Sequence, residues 1–154
     1  MASIPLSVSY CQIAVFESSL ERPFNVWTDK HVKQGFAWRP ESVSFRTVEE
    51  AGRHVIDIVI GDVGLSADAA RIIQVPFEVP PSGSIEVASI SDSVSQILPP
   101  GRYALRFECF PSTRDVGPRV RLVFMKINDL LFAIVRADAD LAAVDDLLLT
   151  ASPA

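Results

Sequence analysis

The feature that most constrains this chain is a two-residue alternation of apolar and polar side chains, repeated in short runs. Successive side chains of a strand point to opposite faces, so each run marks a strand with one buried face. Ile73, Val75, Phe77 and Val79 share a face, with Gln74 and Glu78 on the other. Tyr103, Leu105, Phe107 and Cys109 repeat the pattern against Arg106 and Glu108, and Val120, Leu122 and Phe124 form a further set. Ile56, Ile58 and Ile60 do the same, although Val55 and Val59 make their opposite face partly apolar. Leu6, Val8 and Tyr10 open the chain, and Ile13 to Phe16 then turns apolar on both faces, as a central strand does.

Turn residues separate the runs: Gly52, Gly61 and Gly64, Pro80-Pro81-Ser82-Gly83, Pro99-Pro100-Gly101, Gly117-Pro118 and Asn128-Asp129. Glycine supplies positive φ, while proline fixes φ and removes a ladder donor. About nine short strands at this spacing predict an all-β fold, a two-layer antiparallel β-sandwich forming one domain over residues 1–154. Its edge strands leave room for a homodimer.

Two stretches depart from the alternation. Residues 28–34 read as one short helix, with Thr28 as N-cap, Asp29 at the positive end of the dipole and Gly35 closing in the left-handed region. From Ala137 to Leu149 the spacing of Ala137, Leu141, Val144 and Leu148 is helical, yet Leu147 to Leu149 would also suit an edge strand. That stretch reads as an irregular or partly helical tail.

A chain of 154 residues with 49% hydrophobic side chains holds a core without disulfide or metal. Its net charge of −5 argues against a general nucleic-acid binder, whose footprint is a concentrated basic surface. Arg102, Arg106, Arg114, Arg119, Arg121 and Lys126 make the second half locally basic, but without exposed aromatics interleaved for base stacking. No secretory leader and no membrane span is visible, so a cytoplasmic protein is expected. Cys11 and Cys109 then read as buried free thiols, a bridge staying open only if their strands are neighbours.

Catalytic signatures are sparse. There is no Gly-x-Ser-x-Gly elbow and no phosphate-cradling glycine loop, and no cofactor or metal is expected. His31 and His54 have no second ligand at useful spacing. His31 beside Asp29 or Glu41 is the one general-base candidate, against the simpler reading of a helix-face histidine that supports a loop. Asp138, Asp140, Asp145 and Asp146 form the one acidic cluster. Lacking a glycine turn, it suits a solvated face, or a contact for a basic partner, better than calcium.

The densest run of unusual residues is Trp27-Thr28-Asp29-Lys30-His31-Val32-Lys33-Gln34-Gly35-Phe36-Ala37-Trp38-Arg39-Pro40. Its aromatic residues serve either as anchors pinning the helix to a sheet or as a binding hot spot. An alternative function, a small-molecule or carbohydrate-binding sandwich, would have Trp27 and Trp38 line one groove beside Arg39.

Ser9-Tyr10-Cys11-Gln12 with Val15-Phe16, Trp27-Thr28-Asp29, Gly35-Phe36 and Ser42-Val43-Ser44-Phe45, in that order, resemble the competence protein J family. Val75-Pro76-Phe77 and Leu98-Pro99-Pro100-Gly101-x-Tyr103 are similar as well. The resemblance implies a bacterial protein-binding inhibitor, not an enzyme, whose partner is a DNA-entry type nuclease and which docks on that enzyme to block its DNA cleft. The residues expected to reach such a partner are Trp27, His31, Trp38, Arg39, Asp138, Asp140, Asp145 and Asp146.

Overall fold

A computed structural model describes residues 2–126, 131–141 and 146–154. Its strands are β1 (Ala2–Val8), β2 (Gln12–Glu17), β3 (Phe36–Arg39), β4 (Ser42–Arg46), β5 (Gly52–Ile60), β6 (Arg71–Val79), β7 (Ser84–Ala88), β8 (Ser93–Ile97), β9 (Gly101–Phe110), β10 (Arg119–Met125) and β11 (Ala133–Arg136). One helix, α1 (Asp29–Gln34), precedes β3. Six strands form a sheet in the order β1-β5-β10-β9-β6-β11, and five form a second in the order β3-β4-β2-β7-β8. The all-β, two-sheet expectation holds, with eleven described strands instead of nine.

Every ladder among the described residues is antiparallel except one: β10 runs parallel to β5, with Val120 opposite Ile56 and Leu122 opposite Ile58. The connection from β5 through β6 to β9 is long enough to bring β10 back in the same direction, which a tight hairpin cannot do.

The alternating residues meet between the sheets. Ile13, Val15, Val43 and Phe45 from one face Ile56, Ile73, Val75, Leu105, Phe107, Leu122 and Phe124 from the other, all buried. Phe45 and Phe107 stack across the interface at 4.6 Å between ring centroids. Tyr103 is edge-on to Phe124, and its hydroxyl donates to the Pro99 carbonyl at 2.7 Å. Pro76 lies on β6 beyond the Ile72–Gln74 stretch paired with β11, and its carbonyl accepts from Trp38 Nε1 at 2.7 Å.

Three local expectations are corrected. Strand β1 ends at Val8; Tyr10 and Cys11 instead form a turn, both at positive φ (57° and 55°). Cys11 is therefore only partly buried, while Cys109 is fully buried, and both thiols are free. Arg106 and Glu108 do face away from the sandwich interior, but they are buried. The connection 61–70 covers them: Arg106 Nη2 donates to the Val63 and Gly64 carbonyls, Arg121 Nη2 donates to Gly64, and Ser66 N–H donates to Glu108. Glu108 pairs with Arg106 at 2.8 Å and with Arg121 at 2.6 Å.

Beyond β11 the described residues 137–141 and 146–154 contain no helix and no strand, only an isolated bridge between Asn25 and Pro153. Val144 and the Asn128-Asp129 turn lie outside the described residues. No described helix is long and apolar enough to cross a membrane.

Candidate protein-binding surface

The surface around α1 is built by local rules that the sequence displays. Thr28 accepts from His31 N–H, and His31 Nδ1 accepts from Thr28 N–H at 3.0 Å, a reciprocal capping box. Gly35 closes the helix at φ 87°, and a Cβ there would lie 2.8 Å from Leu141 and 2.9 Å from Ile73. The left-handed backbone favours glycine here, and a side chain would in addition have to displace the ends of Leu141 and Ile73.

On one side of α1, Tyr10, Cys11, Gln12, Trp27, Val32 and Arg46 line an open hollow of about 360 Å³. Trp27 Nε1 donates to Gln12 Oε1 at 3.0 Å, which fixes the half-buried indole in the wall of this hollow. Tyr10 projects from the β1–β2 turn and is 78% exposed. Two adjacent non-glycine residues in the left-handed region cost roughly 1–2 kcal/mol each. The fold holds them there through main-chain bonds, Cys11 N–H to the Glu50 carbonyl at 2.8 Å and Thr47 N–H to the Cys11 carbonyl at 2.9 Å. Burial and then Glu50 raise the Cys11 thiol above its ordinary value, against the pull of Arg46 and Arg71. Burial likewise pushes Cys109 up to about 11, so both stay protonated near neutrality, unlike activated nucleophiles.

The residues expected at a partner separate into distinct environments. His31 is buried; its Nδ1 serves the cap and its Nε2 donates to the Thr150 carbonyl at 2.8 Å, so it is neither a free contact nor a base. Half-buried Arg39 donates through Nε to Asn25 Oδ1 at 2.7 Å and through Nη2 to the Arg22 carbonyl, so part of its guanidinium is engaged within the fold. Asp138 binds buried Arg71 in bidentate fashion at 2.9 and 3.0 Å, which makes it a structural counter-ion. Asp140 is exposed, with its carbonyl accepting from Arg46 Nη1, and exposed Asp146 pairs with Lys30 at 3.1 Å. Asp145 lies outside the described residues.

Trp27 and Trp38 are half-buried, but they do not share a groove. Trp38 lines a separate hollow of about 310 Å³ with Pro40, Pro76, Phe77, Glu78 and Arg102. At that end burial, then Glu41 and Glu78, holds the Glu17 carboxyl above its usual range. Among the described residues no three His, Cys, Asp or Glu side chains gather in a way that could hold a metal ion.

Sequence reasoning missed Tyr10, Gln34, Arg46 and Arg71. Tyr10 continues the Leu6, Val8 alternation and so imitates a strand residue, and nothing in the polar residues announces the main-chain carbonyls they would find.

The competence protein J family matches residues 5–126 of this chain. The chain belongs to that family. It is similar to a DNA-entry nuclease inhibitor of Bacillus subtilis (strain 168), 33% identical over 104 residues that cover 65% of this chain and 75% of the relative. Among solved structures it is similar to the crystal structure of ComJ, inhibitor of the DNA degrading activity of NucA, from Bacillus subtilis. There the TM-score is 0.74 at 23% identity, over 82% of this chain and 96% of that one, so the two share a fold. The matched span includes the strained turn, α1 and the hollow between them. These features therefore fall within the family match, while residues 127–154 lie outside it.

Proposed function

We propose that this competence protein J chain is an inhibitor that docks on a DNA-entry type nuclease and blocks its DNA cleft. The observation that carries the reading is the family match over residues 5–126, together with 33% identity to a relative named as an inhibitor of such a nuclease. In this reading the protein supplies a surface and no chemistry. Tyr10, Trp27 and Val32 form its apolar centre, with the exposed acids Glu50 and Asp140 at the rim. A nuclease cleft is built to attract phosphate, so rim carboxylates speed encounter, and a projecting tyrosine beside an indole is the usual composition of a hot spot.

The test is degradation of linear DNA by a purified DNA-entry nuclease from the same organism, with this protein titrated in. Activity is expected to fall to its floor near one equivalent at micromolar concentrations. Replacing Tyr10→Ala, with the circular-dichroism spectrum unchanged, is expected to weaken inhibition roughly thirtyfold, the effect of losing one hot-spot side chain. Unimpeded DNA degradation and no co-elution with the nuclease would refute the proposal.

A further inference from the structure

The segment 146–154 belongs to no strand, yet its hydrogen bonds have the period of one. Leu148 N–H donates to Gln34 Oε1 at 2.8 Å, and the Leu148 carbonyl accepts from Gln34 Nε2 at 2.9 Å. Two residues on, the Thr150 carbonyl accepts from His31 Nε2 at 2.8 Å. Two further, the Ser152 carbonyl accepts from Val26 N–H at 2.8 Å. At Ala154 the N–H donates to the Phe24 carbonyl at 2.9 Å, and the carbonyl accepts from Arg22 Nε at 3.2 Å. Every second residue is thus read through its main chain, as an added β-strand is, with an amide and an imidazole replacing part of the neighbouring backbone.

The side chains of this segment contribute far less. Leu149, Thr150, Ser152, Pro153 and Ala154 are exposed, and Leu147 is the one that reaches the sandwich core. The receiving groups differ sharply. Gln34 and His31 are 0% and 2% exposed, and both are oriented by the helix cap and by a Gln34 bond to the Phe36 carbonyl. All of the receiving residues, from Arg22 to Gln34, lie within the span that matches the family, while the segment they hold lies outside it. A strip within the family match is therefore occupied by a piece of chain that lies outside the match.

We propose that the strip formed by Phe24 to Val26, His31 and Gln34 is a binding site for an extended peptide. Residues 146–154 are its ligand in cis. The ligand class is an extended segment with an apolar side chain at the Leu147 position, followed by small or hydroxyl residues whose side chains face solvent. Tethering keeps the cis segment at a high effective concentration, so a competing peptide binds measurably only once the tether is cut. The inference does not rest on the nuclease reading, since the hollow lined by Val26, Thr28, His31 and this segment shares no lining residue with the Tyr10 hollow, and its test needs no nuclease.

The experiment uses the full chain with a site-specific protease sequence substituted at positions 142–145, cut after folding. A fluorescent peptide with the sequence of residues 146–154 is then titrated in, and its anisotropy is followed. Saturable binding is expected. An analogue N-methylated at Leu148 should bind at least about tenfold more weakly, because it lacks the proton that Gln34 Oε1 receives. A peptide with alanine in place of Thr150 and Ser152 should bind within about twofold of the parent, because those side chains are not read. Gln34→Ala in the cut protein should also lose at least about tenfold. The proposal is overturned if the folded, cut protein takes up no peptide at millimolar concentration, or if the N-methyl analogue binds as well as the parent. Loss of the sheet spectrum on cutting would equally overturn it, by making the segment part of the fold.

Discussion

The space between the two sheets and the coverings on their outside are held by different forces. Between the sheets nearly every contact is apolar, and Phe45 stacked on Phe107 is typical of it. On the outside, the connection 61–70 and the segment beyond β11 are held mainly by charged and amide side chains that donate to main-chain carbonyls, although Leu141 and Leu147 of that segment reach the core. Arg106 and Arg121 hold Val63 and Gly64; Arg136 Nη1 holds Ser66 and Ala69 at 2.8 and 2.7 Å; Arg46 holds Asp140; Gln34 holds Leu148. Buried area stabilises in proportion to its extent and without regard to direction. A hydrogen bond nets about 1 kcal/mol and depends on geometry. The interior should therefore behave as one cooperative unit, while the coverings open separately at lower free energy.

The largest expected effect comes from breaking the interior. Phe107→Ala removes a fully buried ring from the centre of the core and should cost about 3–5 kcal/mol, read as a lowered midpoint in urea with the slope retained. A loss below about 1 kcal/mol would mean that the sheets collapse around the vacancy, and the contrast with the coverings would vanish. The next effect strikes the junction of the two regimes. Glu108 is buried between two arginines, so Glu108→Gln strips the counter-charge from Arg106 and should cost about 3 kcal/mol. Hydrogen exchange should then accelerate first at Ser66, whose N–H Glu108 accepts, while the amides of β9 and β6 slow or hasten only with global stability. Uniform acceleration across the chain would show that connection and core are a single unit.

The interior was legible in the sequence because area-driven burial writes itself as side-chain period. Ile73 to Val79 and Tyr103 to Cys109 declare their faces, and Thr28 with Gly35 declares the limits of α1. The coverings were not legible, for the same physical reason. Arg106 and Glu108 occupy the positions that a solvated face would give them, and only the path of residues 61–70 buries them. Leu147 to Leu149 looked like an edge strand or a helical turn, whereas Leu148 is held at both its N–H and its carbonyl by the side chain of Gln34, and the cap histidine takes the Thr150 carbonyl just beyond. The site suffered most: His31 and Asp138 carry the residue types of a contact surface, but their polar atoms are consumed within the fold, and Arg39 gives two of its three nitrogens to it.

The turn between β1 and β2 belongs to neither regime, and it yields the smallest expected effect with the sharpest meaning. Tyr10 contributes almost no burial, and its backbone sits where glycine or asparagine is at ease. Ser9 pairs with Gln12 across it, so Tyr10 and Cys11 stand at the two central places of a type I′ hairpin turn. Exchanging them for Asn and Gly (Tyr10→Asn with Cys11→Gly) should relieve the left-handed cost and raise stability by about 1–2 kcal/mol, measured by urea denaturation. The same exchange removes the projecting ring and should weaken nuclease inhibition. The two readouts moving in opposite directions is the signature of strain kept for contact. A gain in stability with inhibition intact would detach Tyr10 from the partner surface. Unchanged stability would show that the Glu50 and Thr47 main-chain bonds already offset the cost of the turn, placing it with the hydrogen-bonded coverings after all.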